Sequence, residues 1–434
     1  MLRTIDLRGR TLDPGTLAGL LPRGGTDAGT AQAAVAPLIE DVRLRGAEAL
    51  LEQADRFDGG RPPALRVPVS EIRAAVDALP SAVRTALEVA IERVRAASRT
   101  QLPQPAETRL GTGAVVRQRW QPVQRVGLYV PGGKAVYPSS VVMNVVPAQV
   151  AGVRGIVVAS PGQRAFGGHV HPVILGAAGL LGVDEVVAMG GAGAIAAFAF
   201  GVPQIGLAPV DVVTGPGNVF VAAAKRALAG RIGIDSEAGP TEILVVADAA
   251  ADPDLVAADL VSQAEHDELA AAVLVTDSAE LAAAVDTAVR RRAATTTHAA
   301  RVEAALTGAQ SAVVLVDDLD AAVAVSNGYA PEHLEVQTAD PAALVPRLTE
   351  AGAVFIGAAT PVSLGDYLAG SNHVLPTGGT ARFSSGLSVR PFLRSQQVVE
   401  YDLDALRESR PHVRVLADAE ALPAHGDAVD ARFP

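Results

Sequence analysis

The chain has 434 residues, 49% of them hydrophobic and 19% charged, which excludes a disordered chain and is enough for two or more domains. A formal net charge of −11, with no basic stripe, argues against nucleic acid as a partner and suits a small, cationic substrate. With no cysteine, disulfides, thiolate catalysis and cysteine-held zinc are excluded, and any metal is left to His, carboxylate and amide ligands.

Residues 1–8 alternate charge with apolarity and lack the continuous apolar core of a signal peptide, so the chain reads as cytoplasmic. Through 33–57 and 81–98 apolar residues recur at three- and four-residue spacing, the mark of amphipathic helices. A turn-rich break separates them at 58–63. Residues 1–108 are thus read as a mainly helical N-terminal region. From 109 the texture changes. Strand-like runs at 125–130, 155–159, 185–188 and 211–214 alternate with helix candidates at 139–151, 169–181, 194–200 and 219–229. Such alternation predicts βαβ units and a parallel sheet. The uncharged stretch 186–210 is punctuated by Gly190, Gly191, Gly193, Gly201, Pro203 and Gly206, which favours a strand, a turn and a buried helix over a membrane span. The pattern then restarts. Strands are predicted at 242–247, 272–276, 312–316, 334–337 and 353–356, and helices at 253–266, 279–292, 320–327 and 342–351.

The predicted fold class is therefore α/β: two doubly wound, Rossmann-like domains, 109–240 and 241–376, meeting near 235–241, with a helical N-terminal region and a short C-terminal tail. An internal duplication stays open, because no residue-level repeat is visible. Residues 377–388, rich in Gly, Ser and Thr, read as a loop. The helical tail that completes 377–434 needs a surface to dock on, and a partner subunit is one option.

Several segments have the residue types for chemistry, and each has a plainer reading beside it. Gly215-Pro216-Gly217-Asn218 and Gly190-Gly191-Ala192-Gly193 are βα turns whose N–H groups suit an anion. Tight turns need glycine for structural reasons as well. Gln263 and His266 sit three apart on one helix face and could share a metal, or simply end a solvated helix. Glu332 and His333 follow a Pro-bearing turn, and adjacent carboxyl and imidazole groups can carry separate protons. The same residues also fit a capped turn. Asp366 follows a strand end, where α/β sites form, and could equally make an Asx-turn. Of the eight histidines, His266, His333, His373 and His425 lie near these segments. His169 and His171 read as a turn and helix start, and His298 and His412 as surface groups.

Taken together, the chain resembles the histidinol dehydrogenase family along nearly its whole length. The likeness rests on Gly127-Leu128-Tyr129-Val130-Pro131-Gly132-Gly133, Gly215-Pro216-Gly217-Asn218, Ala238-Gly239-Pro240-Thr241-Glu242, Gln263-Ala264-Glu265-His266, Glu332-His333-Leu334, Gly365-Asp366-Tyr367, the run 370–376 and Leu422-Pro423-Ala424-His425. That resemblance implies oxidation of L-histidinol to L-histidine through a bound aldehyde, with one Zn²⁺ per subunit and two NAD⁺ consumed. It implies Gln263, His266, Asp366 and His425 as zinc ligands and Glu332 and His333 as the acid–base pair. Thr241 and Glu420 would contact substrate, with Gln263, His266, His333, Asp366 and His425 also lining that site. The nucleotide would meet Tyr129, Gly193 and Asn218. Here the chain departs from the family pattern: Gly193 stands where the family has glutamine, so one contact is lost or moved. The resemblance further implies a homodimer whose tails reach into each other's sites. Rival readings are a dehydrogenase for another amino alcohol or a sulfonated alcohol, a metal hydrolase using Glu332, and a two-domain binding protein.

Overall fold

Short apolar runs and Ala-rich helices alternate because strands buried on both faces need near-continuous apolar sequence. The computed structural model describes residues 1–13, 17, 19–21, 23, 28–132, 136–237 and 239–433; Gly133 and Ala238, which belong to motifs above, lie outside the described residues. Strand β1 (Arg3–Asp6) precedes the helices Ala28–Arg45, Ala47–Phe57, Val69–Asp77 and Ser81–Thr100. The single helical stretch predicted over 33–57 is broken at Gly46, whose φ of 58° suits glycine. A hairpin follows, β2 (Ala106–Gly111) with β3 (Ala114–Pro122).

The first parallel sheet consists of β4 (Arg125–Tyr129), β5 (Gly155–Ser160), β6 (Val186–Ala188), β7 (Val212–Thr214) and β8 (Gly233–Ile234), in spatial order β6-β5-β4-β7-β8. The second has β9 (Glu242–Ala247), β10 (Ala271–Thr276), β11 (Ala312–Leu315), β12 (His333–Gln337) and β13 (Ala353–Ile356), in order β1-β11-β10-β9-β12-β13. Counted from its own first strand, each sheet runs 3-2-1-4-5, and the second gains β1 at its edge. Both thus follow a doubly wound order, with switch points between β4 and β7 and between β9 and β12. The repeat is one of topology, where the sequence carries no residue-level copy.

Some predicted elements change. The helix expected over 342–351 is a short turn of helix, Pro341–Leu344, followed by 3₁₀ turns. The helix Ala299–Thr307 is additional. The tail is longer and more regular than expected: β14 (Leu393–Tyr401) pairs antiparallel with β3, and helices Leu403–Ala419 and Pro423–Asp430 follow. Stretch 186–210 contains β6, a turn and the buried helix Gly191–Phe200. Among the described residues no helix is long and apolar enough to cross a membrane.

One buried ion pair ties the first sheet's last crossover together. Lys225, 1% exposed, donates 2.5 Å to the Gly215 carbonyl and 2.6 Å to Asp235 Oδ1, while Asp235 Oδ2 accepts the Gly215 N–H at 2.8 Å. Gly215 has φ 120°, and a Cβ there would strike the Tyr129 carbonyl. Replacing Lys225 by Met leaves Asp235 buried without its cation, so chemical denaturation should register a loss of about 3–5 kcal/mol. A loss near zero would mean the pair contributes nothing to holding this turn.

Candidate active site

Helix Leu319–Tyr329 ends at Ala330, a non-glycine residue at φ 51°, and the chain turns sharply into Pro331-Glu332-His333. This lays Glu332 against the start of β9. Its Oε2 accepts from Thr241 Oγ1 at 2.6 Å and from the Glu242 N–H at 2.9 Å. Thr241 Oγ1 in turn accepts from Gln263 Nε2 at 2.6 Å. His333 Nδ1 lies 3.1 Å from the Glu242 carbonyl and 3.5 Å from Glu332 Oε2. A carbonyl only accepts, so Nδ1 holds the proton and Nε2 is left basic. Glu332 and His333 are 6% and 5% exposed. Thr241, Glu332 and His333 all stand at the amino ends of their strands. The rule that α/β sites form after carboxyl ends therefore does not describe the second sheet's contribution.

Helix Pro253–Ala264 runs back from the far edge and delivers buried Gln263 and half-buried His266 to the same place. Asp366, in helix Val362–Tyr367, acts electrostatically on His266, His333 and His373. The first sheet meets this cluster with its carboxyl edge. Ser140, at the start of helix Pro138–Ala151, is 3.0 Å from His373 Nε2, and His373 Nδ1 is 3.0 Å from the Asp366 carbonyl. Asn372 Nδ2 donates 2.7 Å to the Met143 carbonyl, and Thr214 donates 2.7 Å to Asn144. The cluster is thus fastened between the carboxyl edge of one sheet and the amino edge of the other.

Burial sets the protonation of these groups. It pushes Glu332 well above the usual carboxylate range, against the pull of the Thr241 hydroxyl and the Glu242 N–H. It also lowers His266, His333 and His373 below the ordinary imidazole value, with Asp366 opposing. All three are held as neutral imidazoles near neutrality. Glu242, given no role of its own in the sequence reading, is raised by burial and countered by Arg23. It also accepts the Gly378 N–H and so anchors the loop after 376.

At the first sheet, Tyr129 is buried and its hydroxyl oxygen accepts the Gly191 N–H at 3.2 Å; burial pushes the phenol up to about 12. Asn218 caps helix Val219–Leu228, its Oδ1 accepting from Phe220 and Val221 at 3.1 and 3.2 Å. That leaves its amide NH₂ for a ligand. A Cβ on Gly193 would lie 2.5 Å from Gln53 Oε1, so a neighbouring helix already fills the room a side chain there would need. Sequence reading missed Asp58. It accepts the Gly190 N–H, and burial pushes it up to about 7. The only signal was its place in the turn Phe57-Asp58-Gly59.

The structure brings together Thr241, Gln263, His266, Glu332, His333 and Asp366. It does not bring Glu420 or His425 to them. Both are exposed on the tail, whose two helices pack chiefly on each other. Among the described residues, no three His, Cys, Asp or Glu side chains form a group that could hold a metal. His169 bonds Glu71 at 2.9 Å, His171 caps a helix, and His298 and His412 are exposed.

Over residues 21–433 the chain matches the family model of histidinol dehydrogenase. It is 64% identical over 432 residues to the histidinol dehydrogenase of Leifsonia xyli subsp. xyli (strain CTCB07), covering 100% of this chain and 99% of that one. To the histidinol dehydrogenase of Mycolicibacterium smegmatis it is 57% identical over 432 residues, covering 99% and 97%. A crystal structure of histidinol dehydrogenase from Elizabethkingia anophelis superposes with a TM-score of 0.92 at 31% identity, covering 100% of this chain and 98% of that chain.

Thr241 is the junction of the cluster. Thr241→Val keeps the shape but leaves Gln263 Nε2 without its acceptor and Glu332 with the Glu242 N–H alone of its two donors. Denaturant unfolding should show a loss of about 1–3 kcal/mol, and Thr241→Ser much less. Equal losses in the two variants would mean the hydroxyl is not the group that matters.

Proposed function

The chain belongs to the histidinol dehydrogenase family, and on that premise we propose that the cluster around Glu332 and His333 is its active site. The protein is a zinc- and NAD-dependent oxidoreductase that converts L-histidinol to L-histidine. The observation that carries the site assignment is the hydrogen-bond chain from Gln263 through Thr241 to Glu332, with His333 beside it. It joins a candidate ligand to both candidate proton carriers.

Gln263, His266 and Asp366 would hold zinc, with His425 as the fourth ligand. The donor chemistry supports this. Burial keeps His266 neutral, as a ligand must be, and the charge of Asp366 reaches it. Gln263 has its Nε2 engaged on Thr241, which leaves the amide oxygen for a cation. Nitrogen and oxygen donors suit zinc, with manganese as a substitute. Substrate would touch Thr241, Gln263, His266, His333 and Asp366, and Glu420 and His425 from a tail. Tyr129, Asn218 and the backbone at Gly193 would receive the nucleotide.

When bound, zinc would supply a Lewis-acid anchor for the amine and imidazole of histidinol, and two NAD⁺, bound in turn, would each supply the acceptor for one hydride. His333 Nε2 takes the proton of the carbinol hydroxyl in the first oxidation. Glu332, whose buried carboxylate has a raised proton affinity, removes a proton from the water that adds to the aldehyde. His333 acts again when the hydrated aldehyde is oxidised. The buried walls around both residues keep bulk water from the reacting carbon.

We assign the missing contributors to a partner copy. The tail exposes Leu403, Val415, Leu416 and Leu422, an apolar set that its own chain leaves in solvent. A homodimer with exchanged tails would cover them and bring Glu420 and His425 to the neighbour's cluster. A cytoplasmic location belongs to the same proposal.

Two experiments test these assignments. Burial holds His333 below 6.5, and it must be neutral to act as base. Measured on the first hydride transfer of Glu332→Gln, where the raised Glu332 carboxyl cannot titrate, the acid limb should therefore lie below pH 6.5; a limb above that value contradicts His333 as the base. For tail exchange, co-expressed His333→Asn and His425→Asn chains, each inactive alone, should recover roughly a quarter of wild-type activity. Half of the dimers are mixed, and each mixed dimer restores one site of two. No recovery would mean that each chain completes its own site.

A further inference from the structure

Asp259 and Glu335 form a buried carboxyl pair that the mechanism above does not use. Asp259 lies in helix Pro253–Ala264, one turn before Gln263. Glu335 lies in β12, two residues after His333 and on the same face of the strand. They are 7% and 1% exposed, and their side chains hydrogen-bond each other. Asp259 also accepts the Val362 N–H, at the first residue of the helix that carries Asp366. Glu335 Oε1 accepts from Gln337 Nε2 at 2.7 Å. The pair therefore touches all three elements that carry Gln263 and His266, His333, and Asp366.

The surroundings leave this pair short of positive charge. Arg292, from helix Ala279–Ala293, acts on Asp259 only at a distance, without an ion pair to it among the described residues. The register neighbours of Glu335 are Val245 on β9 and Phe355 on β13, both apolar. No N–H or O–H donor faces Glu335 Oε2 among the described residues. Two carboxyl oxygens bond each other only through a hydrogen, so one group must be protonated. Burial, with the Asp259 charge behind it, pushes Glu335 up to about 9, which places the proton on Glu335 near neutrality. Glu335 Oε2, which has no donor facing it, is free to carry that proton.

We propose that Glu335 and Asp259 share one proton, and that this hydrogen bond is a positioning device setting Gln263, His266 and Asp366 against His333. The second half of the proposal rests on the ligand assignment above; the first half does not. Neither residue touches substrate. They act through the elements they join.

The test compares the zinc-loaded full chain with Glu335→Gln and Glu335→Ala. Glutamine keeps a donor toward Asp259 and an acceptor for Gln337, but has no proton to lose. A carboxyl whose folded value is raised favours the fold fully at acid pH and loses that contribution as pH rises toward about 9. The melting temperature of Glu335→Gln should therefore exceed that of wild type by a margin that widens from pH 5 to pH 9. A constant margin overturns the shared proton, whatever the ligand assignment, and this measurement stands even if Glu335→Ala does not fold. Glu335→Ala should release zinc to a chelator roughly 10–100-fold more readily and raise KM for histidinol with much less effect on kcat, and glutamine should rescue both. Wild-type zinc retention and KM in Glu335→Ala overturn the positioning role.

Discussion

The hydrogen bonds that Glu332 receives from Thr241 and Glu242 hold the site in register. They join the amino ends of β9 and β12, the two strands on either side of the second sheet's switch point. Thr241 passes the constraint to Gln263, and the Glu242 carbonyl passes it to His333. The start of β9 and the Glu332 carboxyl thus orient an amide and an imidazole together, the proposed ligand and the proposed base. Burying a carboxyl without an adjacent cation is costly, and these donors offset only part of that cost. The remainder is expressed as a raised proton affinity, the property a general base needs near neutral pH.

Two sheets of the same order meet at opposite edges. The first offers its carboxyl edge, where glycine turns and the cap at Asn218 stand, the side proposed for the nucleotide. The second offers its amino edge, because helix Pro253–Ala264 runs antiparallel to its strands and ends there with Gln263 and His266 close by. Ser140 and Asn372 stitch across the gap through His373 and Met143. The division of labour follows from this placement. In the proposed function, nucleotide groups would come from one sheet and proton carriers from the other, and the exposed tail residues Glu420 and His425 would come from a second chain.

Much of the fold was legible in the sequence, for physical reasons. β9 and β10 are buried on both faces, so their apolar runs stand out. β2, β3 and β14 were not legible. Their residues, such as Glu107, Arg117 and Gln396, lie on an exposed three-stranded sheet and carry no hydrophobic signal. The site was partly legible. Glu332 and His333 stood out as an adjacent pair, yet their place at the amino edge depends on a helix turning at Ala330 that no spacing announces. The link from Glu335 to Asp259 spans 76 positions in the chain, and only an acid between Leu334 and Val336 hinted at it. His425 and Glu420 entered through family resemblance alone, since nothing within one chain draws them inward.

In the proposed mechanism Glu332 and His333 do different work, and single-turnover kinetics of Glu332→Gln separates them most directly. If Glu332 serves the hydration step, enzyme mixed with excess NAD⁺ and limiting histidinol should form the first NADH at close to the wild-type rate. The second should then lag by roughly 10²–10⁴-fold, the usual contribution of a general base. Equal slowing of both hydride transfers, or two prompt NADH per histidinol, would contradict this division.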